Sequence, residues 1–172
     1  MKIIRTLKIT SDEFFDYLDE QLMRDLAASG EGEAGAQAIV PGLSFTLHGD
    51  DKYRRAEVEV LAYERGHRYA TRTVTMGDDV SMSYEVAPVP RGDGIEVTYV
   101  QEMVSHASRR RGFLRGFSEA VYLGHMADAL YTIQNKMLDR REGKAGGPAS
   151  PAAPVERPDQ KLIKKLVERT AR

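Results

Sequence analysis

The chain has neither cysteine nor tryptophan among its 172 residues. Without cysteine it can form no disulfide and no thiolate metal site, so its stability has to come from an apolar core. Long hydrophobic runs are missing too. No stretch approaches the roughly 18–20 apolar residues that a membrane-crossing helix needs, and stable membrane insertion is not expected. The opening "MKIIRTLKIT" is too short and too interrupted by charge for a secretory signal. With the missing cysteine, it points to a cytoplasmic protein. Histidine is scarce: His48, His67, His106 and His125 are all there is. None pairs with another histidine at helical spacing, and His125, three residues before Asp128, comes closest to a helical ligand pair. No metal and no cofactor is therefore expected. A nucleophile elbow, a phosphate-binding loop and a dinucleotide fingerprint are all absent. The glycine-rich "SGEGEAGAQ" has no strand before it and no lysine after it, and reads as a plain loop. No catalytic residue can be nominated.

What is present is an ordinary soluble composition, 41% hydrophobic and 30% charged, in a length that suits one domain and a tail. The formal net charge of −1 hides a segregation. Residues 11–104 hold nineteen acids against eight bases, whereas residues 1–10 hold three bases and no acid. Residues 105–138 and 139–172 are both basic, with five bases to two acids and nine to five. An acidic body between basic ends does not offer the continuous basic face that a nucleic acid requires. Nucleic acid is excluded as the expected partner.

The apolar periodicity changes several times along the chain. "KIIRTLKIT" alternates as a strand, with Leu7 and Ile9 in step. "TSDEFFDYLDEQLMRDLAAS" then turns helical: Phe14, Phe15, Leu18, Leu22 and Leu26 share one face, and Thr10 and Glu13 have capping-box spacing. Five period-two segments follow, among them "LSFTLH", "AEVEVLAYE", "HRYATRTVTM", "VSMSYEV" and "GIEVTYVQEM". The gaps "ERGH", "MGDD" and "PRGDG" suit hairpins, so an antiparallel meander is expected. Its inward set includes Val58, Val60, Ala62, Tyr84, Tyr99 and Gln101, and its outward set includes Glu57, Glu59, Glu85, Glu96 and Glu102. From about Arg111 to Arg141 a long helix is expected, with Leu123, Met126, Leu130, Ile133 and Met137 buried and Phe113, Phe117, Ala120, Gly124 and Ala127 widening the stripe. Residues 142–158 are rich in proline, glycine and alanine and read as a disordered linker. Residues 159–172 read as a short amphipathic helix that needs a surface to lie on.

Strand, helix, five antiparallel strands and one long helix, spanning residues 1–141, define an α+β architecture. The sheet's apolar face must wrap around the C-terminal helix. This order resembles the helix-grip fold of START-like and birch-pollen-allergen-like proteins, the SRPBCC superfamily. Within it, "MKIIRTLKITSDEFFDYLDEQL", "GLSFTL" and "SMSYEVAPVPRGDGIEVTYVQE" resemble a bacterial domain-of-unknown-function family, number 3284. The resemblance implies a curved sheet of about six strands holding a cavity against the long helix. It also implies a hydrophobic or amphipathic small molecule as ligand. Relatives of that fold include cyclases, hydrolases, lipid carriers and co-chaperone modules, and fold alone does not choose among them.

On that architecture the candidate cavity lining is Val58, Val60, Met82, Tyr84, Val97, Tyr99, Phe117, Leu130 and Ile133. A binding domain without catalysis is the first expectation. A protein-interaction module using the acidic sheet face and the tail is the second, and an enzyme of the same fold the third. A homodimer or a tail-docked protein partner stays open. The strand "HRYATRTVTM" can face either way. Arg68, Ala70, Arg72, Val74 and Met76 share one side, so Arg72 either enters the cavity as a cation or reaches the rim to meet an acid such as Glu85. The stretch "SRRRGFLRGF" sets Arg109, Arg110 and Arg111 at the start of the long helix, where cations oppose the helix dipole. Together with Arg72 they are the candidates for an anion-binding rim, with nearby carboxylates as the plainer partners.

Overall fold

Alternation carries the first strand, β1 (Lys2–Leu7), which buries Ile3 and Leu7, and Ile9 follows them inward as the chain turns. In this computed structural model, residues 1–30, 38–48, 55–90, 92–105 and 113–143 are described, with the backbone alone at 105 and 113–121. The helix α1 (Ser11–Ser29) begins at the expected capping box. The Glu13 amide donates to Thr10 Oγ1 at 3.2 Å, and the Thr10 amide donates to Glu13 Oε2 at 2.7 Å. Gly30 closes it in the left-handed conformation, φ 73°. Phe14, Phe15, Leu18, Leu22 and Leu26 are all buried, as their spacing requires.

The meander follows as β2 (Ser44–His48), β3 (Arg55–Glu64), β4 (Arg68–Val74), β5 (Asp78–Pro88) and β6 (Ile95–Ser105). All pairs are antiparallel and β1 adds beside β6, giving the order β1-β6-β5-β4-β3-β2. At the β5–β6 connection Gly94 adopts φ 122°, and a Cβ there would collide with the Leu7 carbonyl oxygen. Only glycine fits where the hairpin passes so close to the end of β1.

One strand departs from simple alternation. The pairing of β3 with β4 shifts between Val60 and Ala62, leaving Leu61 as an extra, exposed residue. This β-bulge reverses the faces beyond it. Ala62, expected inward, therefore pairs with Ala70, and Tyr63 turns inward to meet Phe15 and Tyr69.

The helix α2 (Phe113–Arg141) has 29 residues, enough to run about 45 Å. Met126, Leu130, Ile133 and Met137 are buried and Leu123 is half-buried, matching the expected stripe, whereas Gly124 is exposed. These residues join those of α1 and the sheet in one core cluster. The C-terminal end of α2 is tied down by polar contacts. The Lys8 amide donates to Gln134 Oε1 at 2.7 Å, Arg140 binds Glu20 with both nitrogens at 2.7 and 2.6 Å, and Arg141 binds Glu13. On the other flank of α1, Arg65 from the β3–β4 turn binds Asp19 and Asp16. The result is a helix-grip fold: a curved six-stranded sheet with both helices against its inner face. Among the described residues no helix is long and apolar enough to cross a membrane.

Candidate functional site

The inner face of the sheet is laid out in cross-strand rows, because antiparallel register places inward residues of neighbouring strands side by side. One row is made of tyrosine. Tyr63, Tyr69, Tyr84 and Tyr99 stand directly opposite one another on β3, β4, β5 and β6. Their ring centroids are 6.4, 6.4 and 4.6 Å apart in turn. α1 closes this row from above, with Phe14 edge-on to Tyr84 at 5.5 Å and Phe15 edge-on to Tyr63 at 6.1 Å. The Tyr63 hydroxyl donates to Asp19 at 2.9 Å, and burial pushes both the phenol and the Asp19 carboxyl upward from their ordinary ranges.

Two residues further along β4, β5 and β6, and three along β3 because of its bulge, the chemistry changes. The next row is Gln101, Met82, Thr71 and Val60, and beyond it lie Met103, Val80, Thr73, Val58 and Phe45. The last inward position of β5 is Asp78. Thr71, Thr73, Gln101 and Asp78 are only 3%, 9%, 4% and 7% exposed. None of these four side chains makes a hydrogen bond or ion pair among the described residues. The four place polar groups in an otherwise apolar inner face.

The backbone at Asp78 is held firmly. Its amide donates to Thr75 Oγ1 at 3.0 Å, and its carbonyl accepts from the Thr75 amide at 2.9 Å and the Thr75 hydroxyl at 3.2 Å. Asp79 points the other way and accepts two bonds from Arg72, 2.9 Å from Nε and 2.5 Å from Nη2. That pairing raises the already high Arg72 pKa.

Of the candidate lining residues, Val58, Val60, Met82, Tyr84, Val97, Tyr99, Leu130 and Ile133 are all buried in the one core cluster. The Tyr99 hydroxyl lies 3.9 Å from Met82 Sδ. The side chain of Phe117 lies outside the described residues, as do Arg109, Arg110, Arg111 and residues 144–172 with the tail. Arg72 does not enter the inner face. It sits outside, and its partner is Asp79 rather than Glu85, which stands across from Arg68. A cation has no reason to leave water where a carboxylate waits on the solvent side.

Three inward residues of β4 and one of β5 were not singled out by the sequence: Tyr69, Thr71, Thr73 and Asp78. A signal was available in "HRYATRTVTM", where one alternation set is two arginines and the other is tyrosine and threonine. Arginine on one set argues for the other as the buried one.

The family model for a domain of unknown function, DUF3284, matches residues 1–114. Among solved structures, an uncharacterized protein from Rhizobium leguminosarum is similar at 14% identity, covering 81% of this chain and 93% of that one with a TM-score of 0.52. Ara h 8.0201 is similar at 12% identity over 81% of this chain and 97% of its own, also at 0.52. Likeness at such identity concerns the fold alone. No curated protein matches the chain.

Proposed function

This chain belongs to the DUF3284 family, and we propose that it binds an amphipathic small molecule between the sheet's inner face and α2. The observation that carries this reading is the patch of Thr71, Thr73, Gln101 and Asp78, four little-exposed polar side chains set in an apolar inner face. Beside them, Val58, Val80, Met82 and Phe45 offer apolar surface. Sites for small organic molecules combine these two ingredients, with apolar walls for affinity and a few convergent polar groups for orientation. The thioether of Met82 adds an adaptable wall. No nucleophile–base pair accompanies the patch among the described residues, and binding is the function the groups can perform.

The test is direct. Full-length protein purified under native conditions is examined by native mass spectrometry, and its organic extract is analysed for small molecules. Melting is then followed by circular dichroism with and without n-octanol. A co-purifying molecule, or a rise in melting temperature that saturates with octanol, is expected. An empty protein whose melting is indifferent to the probe overturns the reading.

A further inference from the structure

Two adjacent aspartates at the start of β5 meet opposite fates. Asp79 lies on the outer face and is neutralised by the two bonds from Arg72. Asp78 lies on the inner face, 7% exposed, and its described hydrogen bonds all involve its backbone. A carboxylate on an inward, mostly apolar face is an acceptor for a cation or for hydrogen-bond donors. The inward positions of β3 to β6 hold no such cation. They are occupied by Ala56, Val58, Val60 and Tyr63 on β3, by Tyr69, Thr71 and Thr73 on β4, and by Val80, Met82, Tyr84 and Val86 after Asp78 on β5. On β6 they are Ile95, Val97, Tyr99, Gln101 and Met103. The bases of these strands, Arg55, Arg68 and Arg72, are all exposed on the other side. Asp78 is thus the single formal charge on the inner side of the four central strands.

We propose that the site selects a cationic amphiphile, one with an amine-type head at Asp78 and an apolar body running along β5 toward Met82. This rests on the small-molecule reading above and adds the sign of the ligand's charge. The distances suit it. Asp78 and Met82 are four residues apart on one strand, about 13 Å at 3.3 Å per residue, with Val80 between them on the same face. Thr73 and Thr71 flank that path from β4 and Gln101 from β6. Hydroxyls and an amide can bond an ammonium group or a neutral polar group equally, so they do not set the sign; Asp78 does. Beyond Met82 lies the tyrosine row, which Phe14 covers.

The experiment compares n-octylamine, n-octanol and n-octanoate, three probes with one apolar body and different heads. Binding to the full-length protein is measured by isothermal titration calorimetry at neutral pH and about 0.15 M salt, where exposed charges are well screened. Octylamine is expected to bind on the order of tenfold more tightly than octanol, the step a charge-assisted hydrogen bond supplies, and octanoate more weakly than both. Asp78→Asn should bring octylamine down to the octanol level and leave octanol unchanged. Octanoate binding as tightly as octylamine, or an amine preference that survives in Asp78→Asn, overturns the charge assignment while octanol binding keeps the small-molecule reading intact. Failure of all three probes on the unaltered protein removes both. The three-probe comparison on the unaltered chain decides the sign even if the variant folds poorly.

Discussion

The two halves of the sheet's inner face are built from the same strands and behave differently. In the half nearest α1, Tyr63, Tyr69, Tyr84 and Tyr99 form a continuous aromatic row, and Phe14 and Phe15 seal it. In the other half, Thr71, Thr73, Gln101 and Asp78 are as deeply buried and unbonded among the described residues. A fold needs its interior filled and its polar groups satisfied. The first half meets both requirements with its own residues. The second sets polar side chains without described bonds among its buried apolar ones, and the proposed site rests on that contrast.

Substitutions in the two halves should therefore diverge. The largest effect belongs to the filled half: Phe14→Ala removes a fully buried ring from Tyr84. It should destabilise the protein by about 3–5 kcal/mol in urea unfolding. A loss below about 1 kcal/mol would mean that the aromatic row is not the structural half. Gly94→Ala comes next, because its positive φ and the adjacent Leu7 carbonyl leave no room for a methyl group. A cost of roughly 1–3 kcal/mol is expected, with octanol binding per folded molecule unaltered.

Smaller again is the α1–α2 seam. The hydrogen bonds from Arg140 hold the Glu20 carboxyl below the usual carboxylate range, and those from Arg141 do the same for Glu13. A carboxylate lowered in the folded state stabilises above its unfolded pKa, and that contribution is lost as pH falls through the lowered folded value. Asp19, raised mainly by burial, acts in the opposite sense and is relieved on acidification. Glu20 and Arg140 are 39% and 41% exposed, so screening leaves about 0.5 kcal/mol for their pair. Glu20→Gln should remove about that much at neutral pH and flatten the decline below the ordinary carboxylate range in pH-dependent urea unfolding. An unchanged acid limb would show the seam to be ornamental.

The smallest stability change is the most telling. Thr71→Val exchanges a hydroxyl that bonds nothing described for a methyl group of the same shape. It should leave stability within about 1 kcal/mol of the original, or raise it, since no bond is lost. The same change should weaken octanol binding. A strong destabilisation would reveal a structural partner for Thr71 and erase the contrast between the halves.

Much of the architecture was legible in residue order. The Thr10–Glu13 capping box, the helical stripe from Phe14 to Leu26, the alternation of Val80, Met82, Tyr84 and Val86, and the Met126-to-Met137 stripe all stand where local periodicity set them. The inward assignments of Tyr84, Tyr99 and Gln101 were legible for the same reason, since a strand's faces alternate with period two. The site was legible only in part. Asp78 and Asp79 are adjacent acids in a turn sequence, and nothing local says which one turns inward. Arg72 could be given an acid but not the right one, because Asp79 becomes its neighbour only through the hairpin geometry.

The sequence by itself determined the element order, the caps and the choice of buried face on each helix and regular strand, because these depend on spacing within a few residues. Only the tertiary structure decided the rest. The bulge at Leu61 brings Tyr63 into the aromatic row, and the register of four strands aligns those tyrosines. The same register gathers Thr71, Thr73, Gln101 and Asp78 into one patch without protein partners among the described residues. Register is a relation between strands distant in sequence, and a one-residue shift reverses every face it touches. That sensitivity is why the fold could be read along the chain while the site had to be read across it.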